Sequence, residues 1–138
     1  MRRRTLAREF ALKMLYLLDI DSSVSQIDTD RFWEDWGAKQ AESVCLYTKK
    51  LIDGTIKNKQ TIDQVIQKRA ENWELKRMSF IDRSVLRLAT YELLYENEVP
   101  PNVVINEAID IAKKYGEEGS GGFVNGILDK INKEDRET

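Results

Sequence analysis

Apolar residues recur along this chain every three to four positions, and few segments alternate with a period of two. That periodicity reads as helix from end to end. The first predicted helix spans about Thr5 to Ile20. Leu6, Phe10, Met14 and Leu18 form one face at i, i+4 spacing, Leu15 and Leu17 widen it, and Asp21-Ser22-Ser23 ends it. A short second helix, about Thr29 to Lys39, carries Phe32, Trp33 and Trp36. The third, about Ala41 to Lys57, places Val44, Tyr47 or Thr48, Leu51, Ile52 and Thr55 on one side. Asp53-Gly54 resembles a turn, but the period continues to Ile56, so one helix absorbs the glycine at about 1 kcal/mol.

A fourth helix starts near Thr61, whose hydroxyl caps it, with Ile62, Val65 and Ile66 inward. A break follows from Asn72-Trp73-Glu74 to Met78. Ser79, with Asp82 three residues on, opens the fifth helix in the manner of a capping box. Ile81, Val85, Leu88, Ala89 and either Glu92 or Leu93 continue it at helical spacing. Pro100-Pro101 separates it from a sixth, about Asn102 to Tyr115. Gly116 is expected as the left-handed residue that ends this helix. Ser120 is expected to cap the seventh, whose apolar set is Phe123, Val124, Ile127, Leu128 and Ile131. The charged last residues are expected to fray. Seven short amphipathic helices without internal repeats predict one all-α bundle over residues 1–138, with 72–78 as the place where two sub-bundles meet.

Composition narrows the function classes. No apolar run approaches the roughly 18 residues that span a bilayer. The first helix is broken by Arg8, Glu9, Lys13 and Asp19, which reads as an amphipathic helix and not a signal sequence. One cysteine, Cys45, allows no internal disulfide and suits a reducing cytoplasm. Histidine is absent, which removes imidazole acid–base chemistry, Ser-His and Cys-His nucleophile pairs, and the commonest metal ligand. No metal site, cofactor site or catalytic constellation is expected.

Charge is unevenly spread. Residues 1–14 hold Arg2, Arg3, Arg4, Arg8 and Lys13 against Glu9 alone, a balance of +4 in a chain whose total is −2. Guanidiniums fork onto phosphate oxygens and stack on unpaired bases. Arg2 to Arg4 are read as a flexible arm ahead of the helix, and Arg8 as a free guanidinium pointing at a groove. A solvated basic terminus and a membrane-surface segment are the competing readings of the same residues. Cations at a helix N-terminus oppose the macrodipole, which favours a functional reason for them.

Two further features stand out. Gly119, Gly121 and Gly122 surround Ser120 just before a helix, without the spacing of a P-loop. Asn125-Gly126 falls mid-helix, where both residues are poor choices, and so points to close helix packing or to an outside contact. Trp33, Trp36 and Trp73 read as packing residues, Asp82-Arg83 as a cap with a local ion pair, and Tyr16, Tyr91 and Tyr95 as half-exposed at an interface.

The segment from Trp73 through Arg77, Asp82-Arg83, Leu86-Arg87-Leu88-Ala89 and Tyr91-Glu92-Leu93 to Pro100 forms a distinctive order with Asn106-Glu107-Ala108-Ile109, Ala112-Lys113, Gly116 and Phe123-Val124-Asn125-Gly126. Together with Arg3-Arg4, Ala7-Arg8-Glu9, Ala11 and Leu15-Tyr16, it resembles the NusB family of transcription antitermination proteins. Residues 22–66 match that family only in helical character.

The resemblance implies two packed three-helix bundles and no catalysis. It implies binding of boxA RNA in ribosomal-operon leaders together with the small-subunit ribosomal protein NusE, in a complex that joins elongating RNA polymerase. Carried over, Arg2, Arg3, Arg4 and Arg8 meet the RNA, Lys113 and Lys114 add charge, and Phe123 and Asn125 lie near that surface. Tyr16, Asp82 and Tyr91 fall to the partner interface. The family often has a lysine directly before Phe-Val-Asn-Gly, where this chain has Gly122, so the arginines or Lys113 and Lys114 must carry more. The residues leave open whether the free chain is a homodimer, and a helical protein-interaction adaptor without RNA binding is the alternative.

Overall fold

The computed structural model describes residues 2–21 and 26–136; the side chains of Arg2, Phe32 and residues 26–30 lie outside that description, as do Ser22 and Ser23. Seven α-helices are present among the described residues, and no strand: α1 (Arg2–Ile20), α2 (Gln26–Gly37), α3 (Glu42–Lys57), α4 (Lys59–Arg69), α5 (Phe80–Tyr95), α6 (Pro101–Tyr115) and α7 (Ser120–Glu134). A 3-10 turn, Leu75–Arg77, lies in the predicted break. The all-α expectation holds.

Helix α5 is the axis of the fold, packing against α1, α3, α4, α6 and α7. Every residue from Arg83 to Leu93 is buried. It starts where predicted: the Ser79 hydroxyl accepts the Asp82 N–H at 3.1 Å, a cap worth about 1 kcal/mol. The predicted inward faces of α3 and α7 are also observed, with Val44, Tyr47, Thr48, Leu51, Ile52 and Thr55 buried on α3. Val124, Ile127, Leu128 and Ile131 are buried on α7.

Helix α1 keeps part of its predicted face. Met14 and Leu15 are buried as expected, but Leu6 and Leu17 are exposed, and Ala7, Arg8, Ala11 and Leu12 are buried instead. The stripe rotates because Ala7 and Ala11 leave room for close approach and Arg8 finds carboxylates inside, so its burial is compensated. The helix also begins at Arg2, so Arg2 to Arg4 are its first turn and not a flexible arm.

Other predicted ends shift for identifiable reasons. Helix α4 begins at Lys59, after Asn58, whose amide donates to the Gly54 carbonyl at 2.8 Å, so Thr61 caps nothing. Gly116 is extended (φ −92°, ψ −162°), and the left-handed residue of this turn is Gly119 at φ +90°. Gly116 is needed for space: a Cβ there would lie 2.6 Å from the Ala112 carbonyl oxygen and from Ser120 Oγ. Ser120 opens α7 without capping it, because its hydroxyl accepts the Glu117 N–H at 3.0 Å and closes the turn.

Buried and half-buried ion pairs join the helices. Arg83 reaches Asp19 of α1 at 2.9 Å and the Leu75 carbonyl at 3.2 Å, replacing the predicted local pair with Asp82. Arg87 grips Asp63 of α4 through Nε at 2.8 Å and Nη2 at 3.0 Å, and touches Asp19 at 3.3 Å. The described end of the chain is tied down and not frayed. Asp135 accepts two bonds from Arg69 at 2.7 and 2.8 Å, and Arg136 donates to the Leu93 carbonyl at 3.0 Å.

The hydrogen bonds from Arg69 hold the Asp135 carboxyl below its ordinary range. A carboxylate depressed by folding contributes fully above its unfolded pKa of about 3.9, and the contribution fades as pH falls through the lower folded value. Asp135→Asn therefore lowers the melting temperature at neutral pH. Melts taken at successively lower pH should bring variant and wild type together, and a gap that stays constant would refute this linkage.

Candidate functional site

The first turn of α1 and the exposed face of α3 form the walls of an open groove of about 660 Å³. It is lined by Arg3, Arg4, Ser43, Leu46, Tyr47 and Lys50, with no carboxylate among them. Arg3 Nη1 donates to Ser43 Oγ at 3.1 Å. The Arg4 guanidinium carbon stands 4.5 Å over the centre of the Tyr47 ring. Lys50 is anchored to Glu96 at 2.9 Å. Arg3 and Arg4 are exposed and form no ion pair with any described residue, unlike Arg8, Arg69, Arg83 and Arg87.

Below the groove lies a buried charge network. Arg8 Nε and Nη2 donate to the two oxygens of Glu92 at 2.7 and 2.8 Å, and Nη1 donates to Glu107 at 2.9 Å. The Tyr47 hydroxyl donates to Glu92 at 2.8 Å, and Thr5 bonds to Glu107. Arg8 and Glu92 are 2% and 1% exposed, so neither has water to fall back on. Burial alone would lower the Arg8 pKa, but the hydrogen bonds and charge of Glu92 outweigh it and hold the guanidinium above its usual value. Burial, then the Glu92 charge, pushes the Tyr47 phenol up. Arg8 is thus a structural cation, which overturns its reading as a free guanidinium for an RNA groove.

Farther along α1, Glu9 and Lys13 lie beside Lys114 and Tyr115 of α6. Lys114 Nζ donates to Glu9 at 2.8 Å, and the Tyr115 hydroxyl bonds the same carboxylate. Desolvation would raise the Glu9 pKa, but these two donors lower it overall. Lys13 lies 5.6 Å from the Tyr115 ring centre, nine residues or roughly 14 Å of helix from Arg4. Lys113 is exposed, and its stem crosses Gly121, where a Cβ would come within 3.0 Å of it.

A recess of about 270 Å³ lies between the 3-10 turn and the start of α7, lined by Trp73, Arg77 and Phe123 and by the acidic residues Asp82, Glu117 and Glu118. Trp73 is 57% exposed and meets Phe123 edge-on, ring centres 5.6 Å apart. This corrects Trp73 as a packing residue; Trp33 and Trp36 do pack, the latter 4.4 Å from Phe10. Asn125 and Gly126 are exposed, and a Cβ on Gly126 would meet nothing within 4 Å. Close helix packing therefore does not explain this pair.

The NusB family pattern matches residues 5–133. The chain belongs to the NusB family. The transcription antitermination protein NusB of Thermodesulfovibrio yellowstonii is 40% identical, the match covering 96% of this chain and 93% of that protein. The structure of T. maritima NusB superposes with TM-score 0.85 at 40% identity, covering 99% of this chain and 94% of that one. A crystal structure of antitermination factors NusB and NusE in complex with double-stranded RNA superposes with TM-score 0.84 at 31% identity, covering 96% and 98%.

On this NusB-family frame the residues singled out in the sequence fall into separate sets. Arg3 and Arg4 face the groove; the side chain of Arg2 lies outside the described residues. Phe123 sits at the recess, and Asn125 is exposed on the same helix. Tyr16 is half-buried with its ring edge-on to Phe80 at 6.3 Å, and Phe80 is 42% exposed beneath the Arg83 guanidinium. Asp82 lines the recess, with Oδ1 buried and without a hydrogen-bond partner among the described residues. Tyr91 does not reach a surface: it is 6% exposed and its hydroxyl donates to Glu96 at 2.7 Å. It is a packing residue, not a half-exposed interface residue. Ser43, Leu46, Tyr47 and Lys50 were missed as site residues. Their spacing marked the two faces of α3, but nothing in it showed that α1 lies alongside.

Proposed function

We propose that this chain is a non-catalytic, RNA-binding antitermination factor of the bacterial cytoplasm, acting as one helical domain. In this reading it binds boxA RNA of ribosomal-operon leaders together with NusE, and the assembly joins elongating RNA polymerase. The observation that carries the reading is the acid-free groove, where Arg3 and Arg4 stand exposed without carboxylate partners. The family's NusB–NusE structure with double-stranded RNA supports it. A single strand of RNA would run from that groove along Lys13, Lys114 and Lys113 to Phe123 and Asn125. Tyr16, Phe80 and Asp82 form the surface assigned to NusE. With Gly122 in place of the frequent family lysine, Lys113 beside Gly121 and Arg77 in the recess supply the charge at that end.

The deciding experiment titrates a labelled boxA-type RNA with the chain alone and with its cognate NusE at two salt concentrations. Tighter, sequence-dependent binding by the pair supports the reading. Failure of both titrations, with the two proteins folded and associated, leaves a protein-only adaptor.

A more specific outcome is expected for the arginines. Removing one cation from a single-strand phosphate flattens the dependence of log K on log salt by about 0.7, so replacing Arg3 with alanine should lower the slope by about that amount. An unchanged slope would remove Arg3 from the phosphate contacts. Arg8 does not belong with Arg3, since its replacement would act through folding.

A further inference from the structure

The geometry points to Arg4 and Tyr47 as a stacking platform that takes one unpaired base of the bound RNA, a role that rests on the RNA-binding reading above. The Arg4 guanidinium carbon lies 4.5 Å over the Tyr47 ring centre, so one side of the cation is covered by an aromatic face. Arg4 is exposed and makes no hydrogen bond or ion pair to another described residue, which leaves its other side open to the groove. A guanidinium backed by a ring presents a flat, weakly hydrated surface, and such planes stack on splayed bases.

The support beneath it is fixed. Tyr47 is 9% exposed, and its hydroxyl is bonded to Glu92, which Arg8 clamps in turn. The ring cannot swing aside without breaking that buried bond, so Tyr47 is a positioning residue and Arg4 touches the base. Leu46, 63% exposed in the same groove, adds apolar surface at the edge of the stack. Arg3 and Lys50 stand on the walls, where flanking phosphates would pass. The Tyr47 ring covers one side of Arg4, and the side left open to the groove suits a base.

The test scans the RNA of the preceding titration with single abasic substitutions. One position should weaken wild-type binding about tenfold, the scale of a missing base stack. Arg4→Lys keeps the charge and removes the plane. It should bind intact RNA about tenfold more weakly, with an unchanged salt slope, and the penalty at that abasic position should vanish. Tyr47→Phe keeps the ring and retains the penalty, whereas Tyr47→Leu abolishes it; circular dichroism confirms that each is folded. Wild-type affinity in Arg4→Lys, or an abasic penalty that survives in that variant, overturns the platform while the RNA-binding reading stands. No RNA binding by wild type, alone or with its partner, overturns both.

Discussion

Replacing Glu92 with alanine should lower the free energy of unfolding by about 3–5 kcal/mol, the usual consequence of stripping the partner from a buried charge. Glu92 accepts three hydrogen bonds, two from Arg8 and one from Tyr47, in a site from which water is excluded. Without it, Arg8 retains only Glu107, and the Tyr47 hydroxyl loses its acceptor. Domains of this kind are stable by roughly 5–15 kcal/mol in total, so the loss is a large fraction of what is available. Urea denaturation measures it as a shift in midpoint at constant slope. The double variant Arg8→Met with Glu92→Leu should recover part of the loss, because the Arg8–Glu92 charges are removed together and only Glu107 loses its cation. A single variant within about 0.5 kcal/mol of wild type would show that the network contributes little.

Gly54→Ala should also destabilise the fold, by about 1–3 kcal/mol, although alanine is the better helix former by about 1 kcal/mol. A Cβ at position 54 would lie 2.3 Å from Cε1 and Cζ of Tyr91. That ring belongs to α5 and is held by the hydroxyl bond to Glu96 and by stacking on Tyr95, ring centres 5.6 Å apart. To admit the methyl group, either α3 moves off α5 or Tyr91 gives up both interactions. Placing Gly54→Ala in a Tyr91→Leu background should shrink the penalty, since the obstructing ring is gone. If the substitution stabilises wild type in thermal melts, helix propensity outweighs packing here and the close approach is soft.

These two sites show how differently the same motifs can be read. Arg8, Glu92 and Glu107 each fall within a segment that carries the family resemblance, and the structure joins them into one buried network. Glu92 stood at helical spacing with Val85, Leu88 and Ala89, which signalled an inward-facing acid, but nothing local named its partner. Arg8 looked identical to Arg3 and Arg4 in composition. Its separate fate follows from facing α5 and α6, where carboxylates wait, while Arg3 and Arg4 face α3, where none lines the groove. Tyr91 and Trp73 traded roles for a similar reason, the tyrosine being enclosed against Gly54 and the tryptophan left over the turn before α5.

Residue order alone determined the helical class, the existence of seven helices, the Ser79 cap, the inward faces of α3 and α7, and the family. Each of these depends on interactions within a few residues or on periodicity along one helix, which the chain states directly. Tertiary structure decided the rest. It determined which arginines are structural, which aromatics are exposed, why Gly54 must lack a side chain, and that α1 and α3 together enclose a basic groove. Those facts depend on what stands opposite a side chain, and the opposing residues lie about 40 to 100 positions away in the sequence.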